Sequence, residues 1–246
     1  MGAYCSERMG GTLRPEVVEP LLRAAFGQPY VWRDVCPSTQ ELARSLPHGG
    51  VAACEAQSAG RGRSGQTWES AHGRDVLFSL SLAPRTPVEQ LPPFSLVAAE
   101  AVCEATLPAA VVHWPNDVIV DGRKLAGVLA ELRGETLVLG VGVNVNAGPR
   151  ELPVSSRLPA TSLRLERGGP VDRAALLADI LERLEERFLS FERDGFVGLE
   201  RDGLRGRRIR LADGTAGVSR GVDDHGRLLL DGRALSSAEA TGVTLA

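Results

Sequence analysis

Short runs of hydrophobic residues, separated by turn residues, recur through the first 146 positions of the chain. Runs of this length and spacing are typical of β-strands. Beyond about residue 111 they follow one another closely, which predicts a β-meander with turns at Asp121-Gly122 and at 133–135. The strands are expected at 30–35, 51–57, 76–82, 111–114, 117–120, 124–133 and 136–146.

A helical spacing of hydrophobic residues marks four other segments. The longest carries leucine, isoleucine and phenylalanine along one face. The first has Pro15 in its first turn and Gly27 at its end, both typical of helix boundaries. The second opens with Ser38-Thr39-Gln40-Glu41, which has the form of a capping box. The helices are expected at 14–26, 38–46, 94–105 and 172–194.

Beyond Gly195 the pattern changes to short strands at regular turns. These strands are expected at 208–211, 216–222, 227–230 and 241–245. They predict a small β-barrel, whereas the strands and helices before them predict an α+β domain. We therefore expect two domains, at 1–200 and 201–246.

Composition and charge exclude several classes of function. The chain has 246 residues and a net charge of −3, and its 4% aromatic content is too low for a base-stacking surface, so we expect no nucleic-acid partner. No apolar run approaches the roughly 18 residues of a transmembrane helix, and the N-terminus lacks the apolar core of a signal peptide. Cys5, Cys36, Cys54 and Cys103 form no C-x-x-C pair, so we expect reduced thiols and a cytoplasmic protein.

Lys124 is the only lysine among 28 basic residues. Arginine supplies positive charge everywhere else in the chain. A lysine that persists against this bias is a candidate for a role that needs a slender, flexible ammonium rather than a planar guanidinium. The alternative is a single surface lysine without a function.

The segment Gly60-Arg61-Gly62-Arg63-Ser64-Gly65-Gln66-Thr67-Trp68 is a candidate anion-binding loop. Its glycines let backbone N–H groups approach an anion, and its two arginines can each fork onto a carboxylate or a phosphate. The spacing fits neither a P-loop nor a dinucleotide-binding fingerprint. Taken alone, a loop of this composition is more often a solvated turn.

Two further blocks place polar residues next to strands. His113-Trp114-Pro115-Asn116-Asp117 precedes Lys124 closely, so a tight connection can bring Asp117 and Lys124 together. Asp117 can orient the ammonium or hold a metal ion, although Pro-Asn-Asp alone is a turn signal. Gly140-Val141-Gly142-Val143-Asn144-Val145-Asn146 has two glycines in a strand, which indicate the close approach of a ligand or of another backbone.

Together these blocks resemble the biotin–protein ligase family. The similar segments run from about residue 30 to the C-terminus, in the family's order. Ser38-Thr39-Gln40 is similar to the family's Ser-Thr-Asn, and the segment 57–63 with Trp68 is similar to its glycine–arginine loop. The segment 113–117 is similar to the family's Lys-Trp-Pro-Asn-Asp, and the segment 124–127 is similar to its Lys-Leu-Ala-Gly. The segment 140–146 is similar to its Gly-x-Gly-x-Asn strand.

The resemblance implies a fold and a partner set. The fold is a mixed β-sheet flanked by helices, related to class II aminoacyl-tRNA synthetases, followed by a small SH3-like β-barrel. Some family members carry an N-terminal helix-turn-helix domain and act as repressors. Because only about 30 residues precede the similar region, the resemblance is to the ligase-only type. It implies a monomer or homodimer with no DNA or membrane partner.

The resemblance also implies a two-step reaction that uses ATP, Mg²⁺ and biotin. The biotin carboxylate attacks the α-phosphorus of ATP and gives biotinyl-5′-AMP and pyrophosphate. A lysine of a biotin carboxyl carrier protein, part of acetyl-CoA carboxylase or a related carboxylase, then accepts the biotinyl group. Because two anions must be brought together, positioning and electrostatic stabilisation should dominate catalysis.

Carried over by position, the resemblance assigns roles to residues of this chain. Lys124 bridges the biotin carboxylate and the α-phosphate, Arg61 and Arg63 close over the ligand, and Asp117 positions ATP with its Mg²⁺. The implied biotin site comprises Ser38, Thr39, Gln40, Gln57, Arg61, Gly62, Arg63, Lys124 and Gly127. The implied ATP site comprises Arg63, Trp68 packed on adenine, Asn116, Asp117, Lys124 and Asn144.

Three residues depart from the family pattern. Gln40 replaces an asparagine, so its longer amide either points away from the ligand or needs extra room. Gln66 replaces an arginine of the loop and removes one positive charge. His113 replaces the lysine before Trp-Pro-Asn-Asp, which puts a phosphate contact in doubt.

Other functions remain open at this point. A lipoate ligase or octanoyltransferase has the same superfamily fold, but its substrate lacks the ureido ring that Thr39 and Gln57 suit. A non-enzymatic biotin-sensing regulator is a second alternative, and the intact Lys124 argues against it. Met1 to Ser6 also match the N-myristoylation pattern, which is not expected in a chain of this kind.

Overall fold

A computed structural model describes residues 11–154 and 158–246. Its larger part is built on the strands β1 (Tyr30–Cys36), β2 (Val51–Gln57), β3 (Val76–Leu82), β4 (Val111–His113), β5 (Asp117–Val120), β6 (Arg123–Arg133) and β7 (Thr136–Val143). They form one sheet in the order β1-β2-β3-β7-β6-β5-β4. β1 and β2 are parallel and every other pair is antiparallel, so the predicted mixed sheet and meander are confirmed.

Helices cover both faces of this sheet. They are α1 (Pro15–Val18), α2 (Thr39–Ala43), α3 (Phe94–Thr106), α4 (Leu163–Arg167) and α5 (Arg173–Asp194). Ala53 belongs to the large core that includes α3 and α5, whereas Ala52 packs with Ala43 of α2. Because successive strand residues point to opposite faces, α2 lies across the sheet from α3 and α5. Within the described residues, no helix has the length and apolar character needed to cross a membrane.

The predicted long helix is confirmed and the predicted first helix is wrong. Asp172 Oδ1 accepts the hydrogen bond of Ala174 N at 2.9 Å and caps α5. In contrast, α1 ends at Val18 and a 3₁₀ turn, Glu19–Leu21, follows it. Pro20 has no N–H to donate to the preceding turn, so the helix does not continue to Gly27.

The predicted capping box at α2 is also wrong. Ser38 is the N-cap residue, yet its side chain accepts no capping hydrogen bond. Glu41, the other half of the box, binds Arg61 instead. The helix ends at Ala43, three residues before the expected end. Ser38 therefore lines the candidate site, and Glu41 binds the loop beside it, so neither side chain caps the helix.

The C-terminal part is a second, antiparallel sheet. Its strands are β8 (Arg208–Arg210), β9 (Ala216–Val222), β10 (Leu228–Leu230), β11 (Arg233–Leu235) and β12 (Thr244–Leu245), in the order β11-β10-β9-β8-β12. This sheet is consistent with a small SH3-like domain, but β11 and β12 do not pair, so the predicted barrel is not closed. The domain boundary at residue 200 stays a prediction.

Hydrogen bonds join the segment before β8 to the larger sheet. Buried Glu100 of α3 accepts the N–H groups of Glu200 and Arg201 at 2.6 and 2.8 Å. Val112 of β4 donates to Arg201 O at 2.7 Å, and its own carbonyl accepts from Gly203 N at 2.9 Å. These contacts fix the C-terminal sheet next to β4, which leads into the candidate site.

Three of the four cysteines lie in the described residues. Cys36, Cys54 and Cys103 are buried and free. Cys5 lies outside the described residues, as does the Met1–Ser6 pattern.

Candidate active site

The start of α2 and the end of β2 form a polar corner. Gln57 Oε1 accepts hydrogen bonds from Thr39 N at 2.8 Å and from Thr39 Oγ1 at 3.3 Å. Thr39 Oγ1 also lies 2.8 Å from Ser79 Oγ of β3. Ser38 Oγ is buried and has no hydrogen-bond partner among the described residues. Because a buried hydroxyl normally has a partner, this one is free to bind a polar ligand.

Gln40 points into the same corner, over β7. Its Nε2 donates to Leu129 O at 3.0 Å. A Cβ on Gly140 would come within 2.8 Å of this nitrogen. The extra room that the longer amide needs is therefore provided by the missing side chain of Gly140, and Gln40 does not point away from the cleft.

The glycine–arginine loop is a closed hairpin in this structure. Gly62 N donates to Gln66 O at 2.7 Å, and Trp68 N donates to Gly60 O at 3.0 Å. The turn passes through Ser64 and Gly65, with φ of 53° and 75°. Gly60 is required at its base, because a Cβ there would lie 2.4 Å from Trp68 O.

The Arg61 guanidinium is held by two carboxylates. It donates to Glu41 of α2 at 2.8 Å and to Glu131 of β6 at 2.9 Å. The loop is thereby tethered to the two elements on either side of it. Its positive charge is balanced by residues of the chain itself, so a ligand anion must compete with them for Arg61.

The Trp68 ring lies flat on two glycines. Gly127 of β6 and Gly142 of β7 face each other in register. A Cβ would approach the ring to 2.9 Å from Gly127 and to 2.5 Å from Gly142. The expected close approach at the β7 glycines is therefore made by the side chains of Trp68 and Gln40, not by another backbone. This packing fixes an aromatic surface inside the cleft.

Lys124 and Asp117 form an ion pair on adjacent strands. Lys124 Nζ lies 2.7 Å from Asp117 Oδ1, and their side chains are 29% and 17% exposed. The turn at Asp121-Gly122 joins β5 to β6, and both of its residues have positive φ. The same ammonium lies 5.5 Å from the centre of the Trp68 ring. The sequence-based expectation that Asp117 and Lys124 lie together is confirmed.

The segment before β5 connects the cleft to the C-terminal sheet. Asn116 Nδ2 donates to Val128 O at 2.7 Å, which fixes the entry into β5. Trp114 Nε1 donates to Gly226 O at 2.9 Å, and His113 Nε2 lies 3.1 Å from Val243 O. In place of the family's lysine, His113 thus holds the residue that precedes β12 against the cleft.

Asn144 lies behind the wall of the cleft. Its side chain is buried, and its Nδ2 donates to Thr161 O at 3.0 Å. Asn144 N also donates to Leu125 O at 2.9 Å. In this structure the residue supports the strand that carries Lys124, whereas the resemblance implies a lining residue on the nucleotide side.

One cleft brings together all the other predicted site residues. They are Ser38, Thr39, Gln40, Gln57, Arg61, Gly62, Arg63, Trp68, Asn116, Asp117, Lys124 and Gly127. The sequence reasoning missed a third wall, which comes from the segment before β12 and includes Ala240, Thr241, Gly242 and Val243. These residues form no motif, and the contact between His113 and Val243 helps to place them here.

The residues near Asp117 do not form a magnesium site by themselves. The carboxylate is engaged by Lys124, and among the described residues it belongs to no group of three histidine, cysteine or acidic ligands that could hold a metal ion. Among all the residues that the structure describes, the one cluster of three such groups consists of Asp223, Asp224 and His225, and none of these lines the cleft. We therefore derive no catalytic step through a protein-bound metal.

Comparison with known proteins agrees with the fold. The sequence profile of the biotin/lipoate A/B protein ligase family matches residues 33–147. The chain is 33% identical to the bifunctional ligase/repressor BirA of Bacillus subtilis, over 92% of this chain and 76% of that protein. It is 35% identical to the biotin–[acetyl-CoA-carboxylase] ligase of Mycobacterium tuberculosis, over 89% of this chain and 91% of that one.

A solved structure has the same architecture. The biotin protein ligase from Aquifex aeolicus, in complex with biotin and ATP, superposes with a TM-score of 0.72 at 29% identity, and the match covers 88% of this chain and 97% of that one. The fold and cleft therefore define a member of the biotin/lipoate protein ligase class. Within that class, the chain belongs to the biotin–protein ligase family.

Proposed function

We propose that this protein uses ATP to activate biotin as biotinyl-5′-AMP and then transfers the biotinyl group to a lysine of a biotin carboxyl carrier domain. The observation that best supports this proposal is the position of Lys124. The chain's only lysine lines the same cleft as the polar corner at Gln57, and its ammonium lies 5.5 Å from the centre of the Trp68 ring. A slender ammonium at this point can contact a carboxylate and a phosphate together.

The polar corner suits the ureido ring of biotin. A ureido group has one acceptor oxygen and two N–H donors. Ser38 Oγ is unpartnered among the described residues and can donate to the oxygen, and Thr39 and Gln57 lie beside it. Gln40 closes the corner against β7. Lipoate and octanoate have no group that would satisfy these polar atoms, which favours biotin over them.

The charged residues lie where the two anions must meet. Lys124 and Arg63 line the cleft, together with Gly62 and Gly127. Positive groups that are already in place stabilise charge as it builds on the α-phosphate. Arg61 would join them by exchanging one of its carboxylate partners for the ligand.

Trp68, Asn116 and Asp117 would form the nucleotide end of the cleft. Trp68 offers an aromatic face for adenine, and Gly127 and Gly142 hold that face in place. Asp117 would orient Lys124 rather than a metal ion. Asn144 would act indirectly, through its support of the strand that carries Lys124.

The partner follows from the reaction. Two curated relatives are named biotin–[acetyl-CoA-carboxylase] ligases, and we propose the carrier domain of such a carboxylase as the acceptor. We expect the reaction to take place in the cytoplasm, with the protein as a monomer or homodimer and without DNA.

A transfer assay tests the proposed function. The protein is incubated with biotin, ATP, Mg²⁺ and a biotin carboxyl carrier domain, and the carrier is analysed by mass spectrometry. We expect a biotinyl adduct on one carrier lysine, and none when lipoate or octanoate replaces biotin. A carrier whose acceptor lysine is replaced by arginine is the control. Modification by lipoate but not by biotin would overturn the proposal.

A further inference from the structure

The position of Lys124 creates a chemical problem for the proposed reaction. A lysine amine is the nucleophile that biotinyl-5′-AMP is meant to acylate, and Lys124 is the amine closest to the place where that intermediate would form. We propose that Asp117 withholds Lys124 from acylation, so that the biotinyl group is kept for the carrier lysine. This inference rests on the proposed function and adds a selectivity role for Asp117.

The unwanted step is an ordinary aminolysis. The lone pair of Lys124 Nζ would attack the acyl carbon of biotinyl-5′-AMP and form an amide bond. The bond between that carbon and the phosphate oxygen would break, and AMP and one proton would leave. The product would be a biotinylated Lys124 without its charge, which could no longer bridge two anions.

The ion pair with Asp117 opposes this step by holding Lys124 Nζ in place. The nitrogen lies 2.7 Å from Asp117 Oδ1, within ion-pair distance of the carboxylate. To attack the acyl carbon, it would have to give up this contact and turn toward the intermediate. Asp117 is 17% exposed, so solvent screens this contact less than it would screen a pair on the surface.

Asp117 is the neighbour that pairs with the charge of the Lys124 ammonium. Trp68 contributes a ring face, which attracts a cation without accepting a proton from it. Gly127 has no side chain, and the Trp68 ring and the end of the Lys124 side chain pack over it. The nearby carboxylates of Glu41 and Glu131 are bound to Arg61. Asp117 is thus the carboxylate paired with the ammonium.

The composition of the chain makes the inference easy to test. Lys124 is the only lysine in 246 residues, so an amide-linked biotin on the protein must be on Lys124 or on the N-terminal amine. The test adds synthetic biotinyl-5′-AMP, without ATP or biotin, to the wild type and to Asp117→Asn. Intact mass and peptide mapping then give the amount and the position of the adduct.

We expect Lys124 of Asp117→Asn to be acylated at least about tenfold faster than in the wild type, a ratio that corresponds to about 1.4 kcal/mol. Glu166→Gln is the matched control, because it removes a carboxylate that pairs with Arg123 outside the cleft. Its Lys124 should be acylated no faster than that of the wild type. The double variant Asp117→Asn/Lys124→Arg should carry no adduct outside the N-terminal amine.

Transfer to the carrier separates this inference from the proposed function. If wild-type protein and biotinyl-5′-AMP do not label the carrier above the rate without protein, the proposed function fails. If the wild type labels the carrier and Lys124 is acylated equally slowly in both proteins, the role of Asp117 is overturned. Asp117→Ser, a second uncharged variant, gives the same decision if Asp117→Asn does not fold.

Discussion

Arg61 and Glu131 are joined by a hydrogen bond of 2.9 Å that ties the glycine–arginine loop to β6. Glu41 holds the other side of the same guanidinium at 2.8 Å. A loop with four small residues and two arginines would be expected to open easily. These two ion pairs hold it as a closed hairpin.

Replacing Glu131 by glutamine should loosen this loop. Arg61 is about one-third exposed, and ion pairs of that kind contribute roughly 0.2–1 kcal/mol. We expect up to about fivefold faster hydrogen exchange across residues 60–67, and a similar increase in biotinyl-5′-AMP released to solution. Glu135→Gln, in the exposed turn between β6 and β7, is the control. Unchanged exchange in Glu131→Gln would show that Glu41 alone holds the loop.

Periodicity explains why most of the fold could be predicted from the sequence. The strands β3, β6 and β7 are nearly continuous hydrophobic runs because both faces of the sheet are covered. The failures have local causes. Pro20 interrupts a helix whose hydrophobic pattern continues beyond it, and Ser38 matches a capping motif while facing a cleft.

The contacts of the site could be predicted where the residues are close together in the sequence. They could not be predicted where the residues come from distant segments of the chain. Asp117 and Lys124 are joined by one turn, so their contact could be expected. Two relationships could not. Trp68 fills the space over Gly127 and Gly142 only because the loop folds back across two strands. The wall at Val243 depends on a contact with His113 over 130 positions.

Lys124→Arg should damage the adenylation step although it keeps the charge. The Lys124 ammonium occupies a narrow space beside Asp117, Trp68 and Gly127, where a planar guanidinium does not fit in the same position. Removing a comparable preorganised donor costs on the order of 10²–10³ in rate, and we expect a loss of this order in single-turnover adenylation.

Arg123→Lys is the matched control for this substitution. Arg123 immediately precedes Lys124 on β6 and pairs with Glu166 outside the cleft. Its variant should adenylate biotin within about twofold of the wild type, or roughly 0.4 kcal/mol in the barrier. An equally small effect of Lys124→Arg would mean that the lone lysine is a coincidence of composition.

Asp75 should make the stability of the protein depend on pH. Burial raises the pKa of this carboxyl to about 7, against the hydrogen bond from Val145 N and the charge of Arg173. Between about pH 4 and 7 the folded protein binds a proton that the unfolded chain has lost, so the stability from this group falls as pH rises. The slope is at most about 1.4 kcal/mol per pH unit.

Asp75→Asn should remove this slope, because the amide oxygen can still accept from Val145 N and carries no charge. Denaturant unfolding at several pH values measures the difference. We expect the stability of the variant, relative to that of the wild type, to rise steadily from about pH 4 to 7. Asp121→Asn, at an exposed turn, should follow the wild type. A constant difference across this range would show that Asp75 does not titrate there.

Gly142→Ala should weaken ATP binding while leaving biotin binding nearly intact. The new methyl group would lie 2.5 Å from the Trp68 ring, so the ring must leave its place on β7. The proposed adenine surface is lost with it, whereas the hydrogen bonds among Thr39, Gln57 and Ser79 at the biotin end are untouched. Base–aromatic stacking contributes about 1–3 kcal/mol, so we expect the ATP affinity to fall by a factor of about 5 to 150.

Calorimetric titration with ATP and with biotin separates the two ends of the cleft. Gly169→Ala is the matched control, because a Cβ at Gly169 meets no atom within 4 Å. It should change neither affinity. Equal losses for ATP and biotin in Gly142→Ala would indicate that the substitution disturbs β7 as a whole. Unchanged ATP affinity would show that adenine does not pack on Trp68, and the nucleotide end of the cleft would then have to be assigned to other residues.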